Sequence, residues 1–183
     1  MPHLGADPAP AATLLLLADG RLPTGGHAHS GGLEAAVRAG LVTGIADLER
    51  WLTGRLATVG AVDAALAAAS WARAWGRPLV AVGGEWAART PVAAVRAAGL
   101  AQGRGLLRVA RRAWPDAVHD LPTELAWPVA LGAVCRRVGL PATAATSAAA
   151  GAATSGPAWA ATRLLGCDPY EVAAVLARLA PAL

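Results

Sequence analysis

Ile45-Ala-Asp-Leu-Glu-Arg-Trp-Leu-Thr-Gly-Arg-Leu-Ala-Thr-Val59 decides the class of fold. Ile45, Leu48, Trp51, Leu52, Leu56 and Val59 recur three or four positions apart, with Asp47, Glu49 and Arg55 off that series. On a helix of 3.6 residues per turn they form one apolar stripe, whereas a half-buried strand would need strict alternation. The same signal returns near the C-terminus, where Val172, Val175, Leu176 and Leu179 repeat the spacing. That helix has a complete start: Asp168 as N-cap, Pro169 in the first turn and Glu171 three residues after the cap. Gly166 suits a left-handed cap on the helix before it, and Gly40, Gly76 and Gly139 each follow a helical stretch and read as C-caps. Thr90-Pro91 is expected to open a long helix running towards Trp114, with Pro115 stopping it. Punctuated this way, residues 1–183 read as one all-α domain of roughly eight to ten closely packed helices. No composition shift marks a boundary and no internal repeat is found. Abundant Ala and Gly let helix backbones approach closely, while Trp and Leu fill the wider gaps.

Composition narrows the function classes. The chain has 183 residues, 55% hydrophobic and 15% charged, too apolar to remain disordered. Two cysteines, Cys135 and Cys167, exclude a disulfide-rich scaffold and a four-thiolate metal site. The apolar run Leu14 to Leu17 is closed by Asp19 and Arg21 without a basic segment ahead of it, so a cytoplasmic location is expected. The uncharged stretch from Val138 to Thr162 is long enough to span a bilayer, for which about 20 apolar residues suffice. It consists mostly of Ala, Thr, Ser and Gly, and Pro141 and Pro157 are expected to break it, so it reads as packed helix and not as a membrane segment. The net charge is +4 and every basic residue is Arg. Arg104, Arg108, Arg111 and Arg112 would form a basic stripe, the footprint of a phosphate-binding helix or of a plain solvated face. No aromatic residue interleaves to stack bases and no zinc-finger spacing occurs, which favours an acidic protein partner or a plain surface over nucleic acid.

One segment departs from helix packing: Leu22-Pro-Thr-Gly-Gly-His-Ala-His-Ser-Gly-Gly-Leu-Glu34. Its glycines permit positive φ or close backbone approach, and Ser30 can cap the amphipathic run from Leu33 to Val37. An irregular inter-helix loop accounts for this composition, and three sharper readings compete with it. Phosphate binding lacks a Gly-Lys-Ser/Thr sequence and a preceding strand. Metal binding by His27 and His29 offers two imidazoles, but His119, Cys135 and Cys167 lie far along the chain. Protein recognition would read the loop's shape together with Glu34. Catalytic motifs are absent, and neither Glu34 nor Glu85 has a spaced carboxylate partner for acid–base work, so no enzymatic activity is expected.

Leu16-Leu-Ala-Asp-Gly-Arg-Leu-Pro-Thr-Gly-Gly-His-Ala-His-Ser-Gly-Gly-Leu-Glu-Ala-Ala-Val37, followed by Gly40-Leu-Val42, resembles the opening of the UreF family of urease accessory proteins. The Leu-x-x-Trp-Leu helix at Leu48 to Leu52, the acidic Asp63, Ala101-Gln102-Gly103, Trp127-Pro-Val-Ala-Leu-Gly132 and Ala160-Ala-Thr-Arg-Leu-Leu-Gly166 follow in the family's order. Four positions depart from it: His27 and His29 stand where relatives carry aromatic or small residues, Trp127 where a His is common, and Cys167 where a polar residue is common. The resemblance implies an all-α, non-catalytic protein without a cofactor that assists assembly of the dinuclear nickel site of urease. It implies binding to the accessory protein UreD (also UreH), recruitment and regulation of the GTPase UreG, action on apo-urease through that complex, and pairing as a homodimer. The residues expected to meet partners are Pro23, Gly25, Gly26, His27, Ser30, Gly31, Glu34, Gln102, Gly103 and Arg163. A nickel-binding chaperone using His27 and His29 is the alternative, followed by an all-α nucleic-acid binder. No Arg is singled out for action on GTP.

Overall fold

A computed structural model describes residues 10–26, 29–73 and 79–183. Gly76, expected to cap a helix, lies outside them. Ten α-helical segments and no strand occur among the described residues: α1 (Pro10–Ala18), α2 (Leu33–Arg38), α3 (Ile45–Arg55), α4 (Ala61–Arg73), α5 (Leu79–Ala88), α6 (Ala93–Ala113), α7 (Pro115–Val118), α8 (Trp127–Arg137), α9 (Ala142–Leu164) and α10 (Pro169–Leu179). The all-α expectation is met.

The amphipathic run quoted at the outset begins a rod of 29 residues, because a π-helical turn at Leu56–Gly60 joins α3 to α4 without a break. Leu48, Leu52 and Leu56 face inward as expected, but Val59 is 38% exposed. The wide turn holds more residues than an α-turn, so the inward phase passes to Gly60. A Cβ there would lie 3.7 Å from Ala153 Cβ, which is how closely the rod approaches α9. By length and composition this rod is apolar enough to cross a membrane. Its inward side, continuing through Leu66, Ala67 and Ser70, is instead buried among the other helices.

Helix α8 is the centre, with Pro128 to Cys135 all buried. It meets α4 at Gly132, where a Cβ would stand 2.1 Å from Ala67 O, so only hydrogen fits that crossing. Buried Ser70 is satisfied there, its Oγ donating to Val129 O at 2.6 Å.

Pro157 does not break the Ala-rich stretch, contrary to expectation; it lies inside the 23-residue α9. Proline cannot donate to the carbonyl four residues earlier, which leaves Ala153 O open. Arg55 Nε fills that vacancy at 2.7 Å, so a side chain from α3 repairs the helix ladder.

At the other boundaries, Asp168 caps α10 by accepting from Tyr170 N at 2.9 Å. Gly40, Gly139 and Gly166 take φ of +71°, +79° and +67° after their helices. Thr90-Pro91 does not start α6, which begins at Ala93. Thr90 Oγ1 donates to Trp86 O and so closes α5. Arg96 Nη1 donates to Thr90 O and Pro91 O, tying the connection to α6, which ends before Trp114 and Pro115 as expected.

Two apolar clusters result. The larger gathers Leu17, Leu66, Trp86, Leu107, Val129 and Ala145 around α8; the smaller packs Leu33, Leu48, Leu52, Ala161, Val172 and Val175 between α2, α3, α10 and the end of α9. α9 serves both.

Candidate functional site

The glycine-rich loop is positioned by two close approaches. The Thr24 backbone lies on α6 at Gly105, where a Cβ would be 2.8 Å from Thr24 Cα. Further on, Gly31 has φ +60°, and a Cβ on it would meet Pro157 Cγ at 2.7 Å and Arg55 Nη2 at 3.0 Å. Glycine is required there both by the left-handed backbone and by the lack of room. Ser30 contributes to the start of α2 differently from expectation: the cap position belongs to Gly32. Ser30 Oγ nevertheless accepts from Glu34 N at 3.3 Å. Glu34 itself is exposed in the first turn of α2 and paired with Arg38.

His29, Ser30 and Gly31 form one end of a groove of about 1240 Å³ that runs between α4, α5 and the first half of α6. Gln102 reaches it from α6, Trp127 and Pro128 from the start of α8, and Arg55 and Asp63 from either side of the π turn. Val62, Leu66, Ala69 and Trp86 supply apolar lining, with Glu85 and Arg89 on α5. Segments about 100 positions apart thus share one cleft.

Its charges differ in how they are held. Glu85 and Arg89 form an ion pair one turn apart on α5. Arg55 is engaged with Ala153 O and lies over the Trp51 ring, 5.5 Å from its centre. Burial lowers the Arg55 pKa, and the charge of Asp63 works against that shift. Asp63 has no hydrogen bond or ion-pair contact among the described residues. Burial pushes its carboxyl up to about 6, the positive charge of Arg55 offsetting part of the effect.

Of the residues expected to meet partners, Ser30, Gly31 and Gln102 come together in this groove, with the metal candidate His29. His27 lies outside the described residues. Pro23, Gly25, Gly26, Glu34 and Arg163 are not part of the lining. Gly103 is buried, and a Cβ on it would be 1.9 Å from Leu125 O, so it accommodates the segment leading into α8. The Arg stripe is divided. Arg104 pairs with Glu124 at 2.6 Å, and Arg111 donates to Leu121 O and Pro122 O, leaving Arg108 and Arg112 exposed. Among the described residues no group of three His, Cys, Asp or Glu side chains could hold a metal. His119 Nδ1 lies 3.0 Å from Asp116 O, and burial raises the Cys135 thiol to about 12, which keeps it protonated.

Sequence reasoning noticed Asp63 only as a motif position and assigned Arg55, Trp86 and Arg89 to no site. A periodicity reading places Arg55 merely off the apolar stripe; only the long-range contact to α9 shows its role.

Comparison with known proteins places these features in a family. The UreF family profile matches residues 42–180, beginning just after the glycine-rich loop and α2. The protein named urease accessory protein UreF in Mycolicibacterium vanbaalenii is 48% identical over 175 residues, covering 93% of this chain and 80% of that protein. Its namesakes in Mycobacterium sp. (strain JLS) and Mycobacterium tuberculosis are 47% and 45% identical, each covering 92% of this chain and 80% and 79% of their own lengths. Coverage this broad takes in the glycine-rich loop as well.

Proposed function

The chain belongs to the UreF family of urease accessory proteins, and from that premise we propose that it is a non-catalytic scaffold for urease maturation. It binds the accessory protein UreD/UreH and recruits and regulates the GTPase UreG, so that nickel enters apo-urease through the complex. It works in the cytoplasm, pairs as a homodimer and carries no cofactor of its own. The observation that supports this reading best is the groove itself: the loop at His29 to Gly32, Gln102 and the Trp127-Pro128 start of α8 all open onto it. Rigid helices hold these features in fixed relative positions, which is what a recognition surface requires. Acid–base or nucleophilic chemistry has little support there, since the groove's Glu85 is already ion-paired and, among the described residues, no hydrogen bond joins Asp63 to His29 or to any other base.

Co-purification of the full chain with UreD and UreG tests the proposal, together with urease assays in a strain lacking the gene. Urease protein should accumulate there with little nickel and little activity. Normal urease activity in that strain would overturn the reading.

A further inference from the structure

We propose that the groove between α4, α5 and α6 receives an amphipathic helix of a partner protein, and that this helix brings a single basic side chain to Asp63. The inference deepens the scaffold reading and rests on it. At about 1240 Å³ the cleft exceeds the roughly 300–1,000 Å³ of ordinary small-molecule pockets, so it suits a polypeptide segment. Its walls are helices whose backbones are bonded internally, and no strand edge occurs among the described residues, so an added strand would find no ladder to join. An occupant that satisfies its own backbone is therefore required, and a helix does so. Apolar lining from Val62, Leu66 and Ala69, with Val92 and Val95 more than half exposed at the rim, calls for an apolar helix face.

Charge selects the rest of its chemistry. Among the described residues, His29, Arg55, Asp63, Glu85 and Arg89 are the titratable and charged groups of the groove. Arg89 neutralises Glu85, while Arg55 is held by Ala153 O and the face of Trp51. Asp63 alone among these carboxylates lacks a hydrogen bond or ion pair among the described residues. Seating an apolar helix would remove the water that still reaches it, and a carboxylate stripped of water with no hydrogen bond, and only the charge of Arg55 acting on it without contact, opposes binding. A Lys or Arg on the occupant turns that penalty into complementarity and sets the register of the helix.

Full-length protein would be titrated with synthetic Ala-Leu helices about five turns long that differ at one central position: Lys, norleucine or Glu. The Lys helix should bind at least about tenfold more tightly than the norleucine helix. Asp63→Asn should abolish that preference, and Asp63→Lys should transfer it to the Glu helix. Thermal melts confirm folding; should Asp63→Lys fail to fold, the Asn variant with the three helices still decides. Equal binding of all three helices, or binding of none, overturns the inference. So does an Asp63→Asn variant whose only change is weaker self-association, which would make the occupant a second copy. Co-purification with UreD and UreG is run alongside: if it persists while no helix binds, the groove inference falls and the scaffold reading stands. If co-purification fails, the scaffold reading falls, and the helix series reports on the groove separately.

Discussion

Arg55 donates to Ala153, 98 positions away, because Pro157 cannot. Removing the guanidinium leaves a carbonyl in the middle of α9 without a donor, so Arg55→Ala is expected to lose about 1–3 kcal/mol of stability. In a Pro157→Ala background the helix regains its own N–H, and the same substitution should cost at least about 1 kcal/mol less. Chemical denaturation of the four proteins of this cycle checks the coupling; strictly additive losses would show that the repair is not energetically linked to the proline. Asp63 makes a pH-dependent prediction. Its carboxyl is raised from the ordinary 3.8 to about 6 by burial, so the folded state takes up a proton before the unfolded state does. The charged form is therefore destabilising above about pH 6, and that penalty is relieved as pH falls towards 3.8. Asp63→Asn should be the more stable protein at pH 7, by at most on the order of 2 kcal/mol given the group's residual exposure. The difference should shrink towards pH 4, and melts of both proteins across that range measure it. Glu34 makes a third: exposed and, among the described residues, ion-paired only with Arg38, it can be changed to Ala with little loss of stability. If it meets a partner as expected, Glu34→Ala will fold normally yet pull down less UreD or UreG.

Among elements, the α4–α8 crossing sets the tightest tolerance. A methyl at Gly132 would fall 2.1 Å from Ala67 O, a backbone atom that cannot move without shifting α4. Gly132→Ala is expected to cost about 1–3 kcal/mol or prevent folding. Gly151, in the middle of α9 with open space beside it, is the control. There alanine should gain roughly 0.5–1 kcal/mol from helix propensity. Opposite signs for one chemical change, read from thermal unfolding, would confirm that approach distance and not propensity places these glycines. The π turn belongs to this scale as well. By shifting the inward phase from Val59 to Gly60 it puts Arg55 and Asp63 on the groove from either side of one wide turn.

Across the whole molecule, α9 and the α3–α4 rod each contribute to both apolar clusters, and in the smaller one α10 packs over α3. The outer link between those two helices is the exposed pair Arg178 and Glu49, two hydrogen bonds of 2.8 and 2.7 Å. Local opening should therefore begin at α2 and α10 while α8, buried along nearly its whole length, holds to global unfolding. Native-state hydrogen exchange checks this: α10 amides should exchange at lower opening free energy than those of α8, and equal protection would contradict it. If the groove is a docking site, binding should protect α5 and the first half of α6 most.

Helix class, the capped start of α10 at Asp168 and the glycine stops at Gly40, Gly139 and Gly166 were legible in the chain because each depends on contacts within about one turn. The UreF resemblance was legible for a related reason, since its motifs are short strings read in order. What escaped that reading has the opposite character. Pro157 looked like a break because the sequence does not show that Arg55 will replace its missing donor. Val59 looked inward because periodicity assumes 3.6 residues per turn throughout and does not foresee a π turn. Gly103 looked like a motif residue for partners, while tertiary packing presses Leu125 against it. The union of His29, Gln102, Trp127 and Asp63 in one groove was decided only by the three-dimensional arrangement. Local interactions select the helices, but which faces meet depends on close approach between residues many turns apart, and that is settled only when the helices pack.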